Sequence, residues 1–258
     1  MRVISFNCEG LEQAKKKGLF DWLSEQNADV VCLQDTRASE LTMERDEYQL
    51  DGYYCYAFDG YNRVDRGGVI LYTQEAPKAV IRGFDCPEAD ETGRYLQADF
   101  DKITISNIYV PEGHNEENQN FKYRFLDGFS HNLHKQRRKR REFIMCGTWN
   151  IAHKKVDVAN WREAENVSGF QVAERNWMEG LLGDMGFHDA YREVDQEPDQ
   201  YSWWQNDYLK HDNIGMRIDY HIITAGMRHR VLNGGIYKAK SFSSHAPVII
   251  DYDWELSA

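Results

Sequence analysis

The sequence predicts a single α+β domain, residues 1–258, in which packed β-sheets are accompanied by a few helices. Short runs typical of strands recur along the whole chain, whereas only three stretches have helical spacing. No linker, low-complexity tract or short repeat separates them. The 258 residues, 41% of them hydrophobic, are enough for a sizeable core. Many strands with few helices therefore favour packed sheets in one domain.

The first half of the chain combines several strand patterns with one helical pattern. Residues 3–7 alternate between apolar and polar, which predicts a strand, and residues 11–25 have the spacing of an amphipathic helix. Residues 29–34 form a continuous apolar run, typical of a buried strand. Further strands are predicted at 53–58, 68–73, 79–84, 95–100 and 103–110.

The second half has two helical patterns. Residues 112–120 are polar and predict a loop, and a helix is expected from 121 to 141. The hydrophobic run 143–146 predicts a buried strand that ends at Gly147. Residues 172–185 again have helical spacing. The remaining strands are predicted at 201–204, 217–224, 231–237 and 247–252.

Composition restricts the compartment. The first seven residues lack the features of a signal peptide, and no apolar run is long enough to span a membrane, so we expect a cytoplasmic protein without membrane contact. Five cysteines, at no ligand-like spacing, argue against a disulfide framework and a zinc site.

The net charge of −11 is unlike that of a generic nucleic-acid-binding protein, which is basic. An acidic chain with one basic cluster should bind a polyanion weakly and locally. If it acts on nucleic acid, it needs a metal or a partner protein.

Polar side chains stand at the ends of six apolar strands. These residues are Asn7, Asp35, Tyr109, Asn150, Asp219 and His245. Each by itself has an ordinary explanation, because Asn and Asp are common turn formers and a lone His is often structural. Their recurrence at six strand ends predicts a site suited to phosphate or metal.

Residues 135–141 carry the densest positive charge of the chain. The cations are Lys135, Arg137, Arg138, Lys139, Arg140 and Arg141, and Lys154, Lys155, Trp161 and Arg162 follow. Such a run is often only a solvated surface. Because the run directly precedes the strand leading to Thr148, we predict instead that these ten residues contact RNA or a partner that carries RNA. Trp161 could offer a stacking face.

Six segments, collinear from the first strand to the last, resemble the exonuclease III and apurinic endonuclease family. They are residues 4–7, 32–37, 107–111, 146–150, 212–219 and 243–247. The resemblance implies a four-layer α/β-sandwich, two β-sheets flanked by helices, with the site at one rim. It also implies a Mg²⁺-dependent phosphodiesterase activity, and it places Trp203 where the family has a pocket-lining aromatic; core packing is the alternative role for Trp203.

Three positions depart from the family pattern. Asp35 stands where the family has its metal-binding glutamate, and Thr148 where an aspartate prepares the attacking water. Ser244 stands where an aspartate would orient His245, so the resemblance implies a histidine without a charged partner. A general base contributes about 10²–10⁴ in rate, so these losses predict that hydrolysis is abolished or vestigial.

The expected vestigial pocket therefore contains eight residues and no metal, with Asp35 as the ligand if Mg²⁺ is bound after all. The residues are Asn7, Asp35, Tyr109, Thr148, Asn150, Asp219, Ser244 and His245.

A narrower set of segments, residues 33–39, 94–102, 135–141, 160–163 and 251–254, resembles the catabolite repression control (Crc) family of pseudomonads and their relatives. That resemblance implies a translational co-repressor without catalysis, which binds A-rich mRNA leaders jointly with the RNA chaperone Hfq. Asn150 and residues 212–217 keep a nuclease-like form, which leaves room for residual activity.

Two alternatives stay open. One is an active Mg²⁺-dependent exodeoxyribonuclease III or apurinic-apyrimidinic endonuclease in DNA repair, and the other is a hydrolase for another phosphoester. The sequence also leaves open whether the chain forms a weak homodimer.

Overall fold

Two six-stranded sheets form the centre of the molecule in the computed structural model, which describes residues 1–61 and 67–256. The strands are β1 (Arg2–Asn7), β2 (Val30–Gln34), β3 (Tyr54–Phe58), β4 (Val69–Thr73), β5 (Ala79–Arg82), β6 (Tyr95–Asp99), β7 (Ile103–Tyr109), β8 (Glu142–Thr148), β9 (His188–Asp189), β10 (Asp219–Ile223), β11 (Val231–Ile236) and β12 (Val248–Tyr252). The first sheet has the strand order β11-β12-β1-β2-β4-β3, and the second has β5-β6-β7-β8-β10-β9.

Each sheet contains one parallel strand pair at its centre, β1 with β2 and β7 with β8, and its other pairs are antiparallel. The register pairs Asn7 with Gln34 and Tyr109 with Thr148. The carboxyl ends of the parallel strands therefore meet at one edge of each sheet.

Helices cover the outer faces of both sheets. Residues from both sheets, among them Val30, Leu71, Ile105 and Ile144, form the core between them. The helices are α1 (Leu11–Lys16), α2 (Leu19–Ser24), α3 (Pro87–Asp90), α4 (Glu116–Arg137), α5 (Trp161–Ala164), α6 (Val172–Glu179), α7 (Ala190–Val194) and α8 (Asp207–His211). A second cluster packs α1 and α2 onto the first sheet, and a third packs α4 and α6 onto the second.

Helix, sheet, sheet and helix thus follow one another in four layers, which confirms the sandwich that the sequence resemblance implied. Within the described residues, no helix combines the length and the apolar character needed to cross a membrane.

Two predicted helices differ from the observed ones. The helix expected over 11–25 is broken at Gly18, whose φ of 85° favours glycine, and becomes α1 and α2. The loop expected over 112–120 is wrong in its second half, because α4 begins at Glu116. The side chain of Asn115 caps this helix by accepting a hydrogen bond from Asn118 N–H. This bond stabilises the first turn, which has no apolar residues to anchor it.

Several other elements were mispredicted. Residues 201–204 form no strand; Trp203 makes isolated bridges to Met216 and His245 instead. The helix expected over 172–185 ends at Glu179 and continues as a π-helical turn over Gly180–Asp184. The short elements β9, α3, α5, α7 and α8 were not predicted, because at two to five residues they carry little periodicity.

A fully buried ion pair fastens α4 to the segment that follows β8. Lys122 Nζ donates to Glu174 Oε1 at 2.5 Å and to the carbonyl oxygen of Asn150 at 2.7 Å, and neither charged side chain is exposed. Burial lowers the pKa of Lys122, an effect that the Glu174 carboxylate opposes. Glu174 also accepts from the backbone of Gly169 and Gln171.

Replacing Lys122 with Met should lower the free energy of unfolding by about 3–5 kcal/mol, because Glu174 then remains buried without its cation. The matched control is Lys16→Met, which breaks the exposed ion pair with Glu12 and should leave stability nearly unchanged. Urea denaturation followed by circular dichroism measures both. Equal stability of the two variants would contradict a structural role for the buried pair.

Candidate active site

The Asp219 carboxylate is the centre of a buried hydrogen-bond network at the rim, the edge of the sheets where the carboxyl ends of the parallel strands meet. Asp219 opens β10 and lies opposite Thr148 across the strand pair. Its Oδ1 accepts from Thr148 Oγ1 at 2.5 Å, and its Oδ2 accepts from Ser202 Oγ at 2.6 Å. The ring of His245 lies against the same carboxylate, with Nδ1 2.9 Å from Oδ2. Both carboxylate oxygens are therefore engaged.

The network crosses from one sheet to the other. Asn7, at the end of β1 in the first sheet, donates from Nδ2 to Thr148 Oγ1 at 3.1 Å. Thr148, at the end of β8 in the second sheet, donates from Oγ1 to Asp219 Oδ1. The threonine hydroxyl thus accepts one bond and donates another. It is neutral, and it contributes neither a base nor a negative charge at this position.

The expectation that His245 lacks a charged partner is wrong, because Asp219 fills that role. Burial by itself would lower the pKa of His245, but the Asp219 carboxylate outweighs it and the pKa is raised. Ser244, the residue that the resemblance placed in this role, takes no part through its side chain. Its backbone N–H donates to Glu9 Oε2 at 2.7 Å, and its hydroxyl is buried without a partner among the described residues.

Asp35 directly follows β2, and its carboxylate is hydrogen-bonded to the side chain of Arg37. Arg37 donates from Nε to Oδ1 at 3.1 Å and from Nη2 to Oδ2 at 2.6 Å, a bidentate ion pair. Both residues have left-handed backbone conformations, with φ of 47° and 50°. Burial raises the pKa of Asp35, an effect that Arg37 opposes.

Tyr109 and Asn150 complete the rim. Burial and the nearby Asp35 charge raise the pKa of Tyr109 above its ordinary value, and its hydroxyl donates to Glu112 at 3.2 Å. Asn150 has a φ of 53°, and its Nδ2 donates to the carbonyl oxygen of Val110 at 2.8 Å. Asn150 therefore closes the gap between the ends of β7 and β8.

A groove of about 540 Å³ opens beside Asp35, Arg37 and Tyr109. Arg94 lies in it with its guanidinium 4.6 Å from the centre of the Tyr109 ring. By contrast, Thr148, Asp219 and His245 are at most 4% exposed. The exposed part of the site is thus the groove with the side chain of Arg37, and the residues of the Asp219 network are not among those that line it.

These side chains do not fit the divalent metal that the resemblance implies. Mg²⁺ takes about six oxygen ligands, largely from carboxylates and water. Both oxygens of Asp35 are bound to Arg37, and both oxygens of Asp219 have protein partners. Across residues 1–61 and 67–256, no group of three or more acidic, His or Cys side chains is arranged to hold a metal ion.

The ten residues predicted to contact RNA or a partner divide into two groups at opposite ends of the second sheet. Lys154, Lys155, Trp161 and Arg162 follow the carboxyl end of β8, on the side of the site. Residues 135–141 precede the amino end of β8, which a strand of seven residues separates from Thr148 by about 20 Å. The prediction that residues 135–141 lie beside the site, made because they directly precede the strand leading to Thr148, is therefore wrong.

Within residues 135–141 the side chains also differ. Lys135, Arg137, Arg138, Lys139 and Arg140 are exposed at the end of α4. Arg141 is instead tied to the carbonyl oxygens of Phe100 and Ile103 and to Asp99. These last contacts give Arg141 a structural role.

The two tryptophans near the site are already in contact with other side chains. Lys155 Nζ lies 3.6 Å from the centre of the Trp161 ring, and the Arg162 guanidinium lies 4.4 Å from it. A base that stacks on Trp161 would therefore compete with these cations for the ring faces. Trp203 packs in a small cluster with Trp161, and its ring centre lies 6.4 Å from that of His245. Trp203 thus combines packing with a place beside the site.

Sequence reasoning missed two residues that hold the site carboxylates. Arg37 could have been found, because a cation two residues after a strand-end aspartate is within reach of it. Ser202 carried no such signal, since it lay in a stretch interpreted as a strand. Its contact with Asp219 depends on chain segments 17 residues apart.

The pH dependence of stability should reveal the His245–Asp219 pair. Because the folded-state pKa of His245 is raised, its contribution is complete below the unfolded value of about 6.5 and is lost as pH rises through the folded pKa. The stability difference between wild type and His245→Gln should therefore be larger at about pH 5.5 than at about pH 9. Urea denaturation at both pH values measures it.

The control is His221→Gln. Burial lowers the pKa of His221 to about 3, so its contribution should fall, rather than rise, as pH decreases below about 6.5. The same trend in both variants would contradict the assignment of Asp219 as the partner of His245.

Comparison with known proteins places this site in a family. Residues 4–243 match the model described as the Endonuclease/Exonuclease/phosphatase family. The exodeoxyribonuclease of Bacillus subtilis (strain 168) is 29% identical over 256 residues, which cover 96% of this chain and 98% of that protein. The DNA repair nuclease APEX1 of Danio rerio is 26% identical, with 97% of this chain and 81% of that protein covered.

Solved structures agree in fold. An AP endonuclease from Archaeoglobus fulgidus superposes with a TM-score of 0.88 at 22% identity, covering 98% of this chain and 100% of that one. A 3′ phosphatase from Neisseria, solved with product DNA hairpin, gives 0.86 at 20% identity with the same coverage. The sandwich, the strand-end residues and the match over nearly the whole sequence show that this chain belongs to the endonuclease/exonuclease/phosphatase family, with exodeoxyribonucleases and AP endonucleases among its relatives.

Proposed function

We propose that this chain binds a nucleic-acid phosphodiester backbone without appreciable hydrolysis and acts as a translational co-repressor, binding A-rich mRNA leaders together with Hfq. The observation that carries the absence of hydrolysis is the hydroxyl of Thr148 at the position where the family resemblance requires an aspartate, and the co-repressor role rests on the resemblance of residues 33–39, 94–102, 135–141, 160–163 and 251–254 to the Crc family. That hydroxyl is bonded on both sides, to Asn7 and Asp219. It has no means to take a proton from water.

The remaining acids of the rim offer little compensation. Asp219 could act as a base only by giving up bonds from Thr148, Ser202 or His245, which lie within 2.5–2.9 Å of it. A missing general base costs about 10²–10⁴ in rate, and groups that act as a unit lose more together. Binding, in contrast, requires only donors and positive charge, which Arg37 and Arg94 supply at the groove.

The basic end of α4 provides a second surface for the same function. Its five exposed cations contrast with the net charge of −11, so attraction to a polyanion is local. Alone, such a surface gives weak, salt-sensitive binding. When Hfq presents the RNA, the second contact becomes effectively intramolecular and adds affinity. The distance of about 20 Å from the site suits an extended RNA or a partner that covers one side of the molecule.

The second candidate function is an active Mg²⁺-dependent exodeoxyribonuclease III or apurinic-apyrimidinic endonuclease. The names of the sequence relatives favour it over the co-repressor, since the B. subtilis and D. rerio proteins are both nucleases. Two features of the site also favour the nuclease: the pair between His245 and Asp219, and the side chain of Asn150, which is held by a hydrogen bond to Val110. The substitutions at Thr148 and Ser244 argue against it, and an activity measurement decides between the two.

The wild-type protein should cleave an abasic DNA duplex and an A-rich RNA no faster than a buffer control containing magnesium, because no side chain at the Thr148 position can activate water. Denaturing gels measure cleavage over several hours. Asn150→Ala and His245→Gln serve as contamination controls. Multiple-turnover cleavage that both variants abolish would refute the co-repressor proposal and establish the nuclease.

Charge reversal at the end of α4 should weaken assembly with Hfq and an A-rich RNA by at least about tenfold, since several phosphate or acidic contacts are removed together. The variant is Arg138→Glu/Lys139→Glu/Arg140→Glu, which spares the structural Arg141. The control, Lys16→Glu/Lys17→Glu/Arg45→Glu, changes the net charge equally on the first-sheet side of the molecule. Analytical ultracentrifugation measures the ternary complex; equal losses in both variants would mean that net charge alone matters.

A further inference from the structure

The ion pair between Asp35 and Arg37 has one buried and one open side. The side chain of Asp35 is 6% exposed, whereas that of Arg37 is 58% exposed. The carboxylate is therefore enclosed by protein, and the guanidinium presents its outer edge to the groove. A site that used Asp35 as a metal ligand would need the reverse arrangement, with the carboxylate oxygens facing the groove.

The backbone holds the pair in this orientation. Arg37 N–H donates to the carbonyl oxygen of Gly67, and Thr36 N–H to that of Gly68, both at 3.2 Å. A Cβ at Gly68 would lie 2.5 Å from Thr36 Oγ1, so the two segments approach closely. Asp35 and Arg37 both have positive φ angles, and their side chains meet in the bidentate pair. The pair is thus built into the turn.

A divalent cation meets two obstacles here. It would have to compete with Arg37, which is hydrogen-bonded to both oxygens of Asp35 in a bidentate ion pair. It would also stand next to a guanidinium that cannot lose its charge. Asp219, the other rim carboxylate, is held by Thr148, Ser202 and His245.

An anion, in contrast, meets suitable donors. A guanidinium carries five N–H donors, and Asp35 accepts two of those of Arg37. Arg94 lies in the same groove over Tyr109, and Phe121 is 5.9 Å from its guanidinium. The two guanidinium groups match the phosphate of a nucleotide. Glu112 and Glu117 also line the groove, so the attraction to a phosphate is local to Arg37 and Arg94.

Building on the proposed function, we propose that the guanidinium of Arg37 takes the place of a divalent cation at Asp35, so that the groove binds a nucleic-acid phosphate directly and without a metal. The positive charge that a bound metal ion would supply is then supplied by the side chain of Arg37. Phosphate binding no longer depends on magnesium, and the same ion pair that recruits the phosphate excludes the metal that hydrolysis would need.

The first experiment measures metal binding by Mn²⁺ titration with electron paramagnetic resonance. Wild type should show no Mn²⁺ site that depends on Asp35. Arg37→Gln should create such a site and bind Mn²⁺ at least about tenfold more tightly than the non-specific binding of wild type, and Arg37→Gln/Asp35→Asn should lose it. Arg228→Gln, which removes an exposed arginine paired with Glu193, is the control and should behave as wild type. A wild-type Mn²⁺ site that Asp35→Asn abolishes would overturn the proposal.

The second experiment measures phosphate binding with a six-nucleotide oligoadenylate, titrated to millimolar concentration and followed by the NMR signals of the arginine Nε–H groups. The Arg37 and Arg94 signals should shift with the same dissociation constant in EDTA and in magnesium. Arg37→Gln should weaken binding about tenfold, the value of one charge-assisted bond, and Arg228→Gln should not. An unmoved Arg37 signal, or binding that requires magnesium, would overturn the proposal.

The two proposals fail separately. Cleavage of the oligoadenylate or of abasic DNA by wild type refutes the non-catalytic function, while the Mn²⁺ titration decides the role of Arg37 by itself.

Discussion

The hydrogen bonds of the Asp219 carboxylate hold the side chains of the rim in place. The carboxylate joins Thr148 of the second sheet, the buried ring of His245 and, through Thr148, Asn7 of the first sheet. A buried carboxylate is costly unless each oxygen is hydrogen-bonded, and here each one is. The same saturation that makes the rim stable leaves the carboxylate little freedom to bind a metal or to act as a base. Stability and catalysis make opposite demands on this group.

Asp35 is likewise a buried carboxylate with both oxygens bonded, but its partner is a cation, Arg37. An isolated buried aspartate would protonate or draw in a cation, and Arg37 supplies the cation from within the chain. Each acid that the family resemblance associates with metal chemistry is therefore neutralised, replaced or enclosed. The fold keeps the two-sheet scaffold of the family, while the groove beside the rim is lined by Arg37 and Arg94. A binding surface can be derived from a catalytic one through few substitutions, because the scaffold that positions the side chains is unchanged.

The sequence predicted which residues gather at the rim better than how they act there. Asn7, Asp35, Tyr109 and Thr148 lie together because parallel strands of each sheet end at the same edge, a consequence of topology that strand patterns foreshadow. The partner of His245 was assigned to the wrong residue, because two acids of the family pattern are compatible with that role and only the packing distinguishes them. The basic run was placed beside the site because it is near Thr148 in sequence, but seven strand residues carry the chain across the whole sheet.

By itself, the sequence predicted a single domain of packed sheets with polar residues at its strand ends, because these follow from periodicity and from the chemistry of single side chains; the four-layer sandwich and the loss of acids at Thr148 and Ser244 were implied by its resemblance to a known family. Only the tertiary structure decided that Asp219 holds His245, that Arg37 covers Asp35 and that residues 135–141 lie at the far end of the sheet from the site. Such facts depend on distances of a few ångströms between residues remote in sequence, or on the direction in which a strand runs, and no local pattern encodes either.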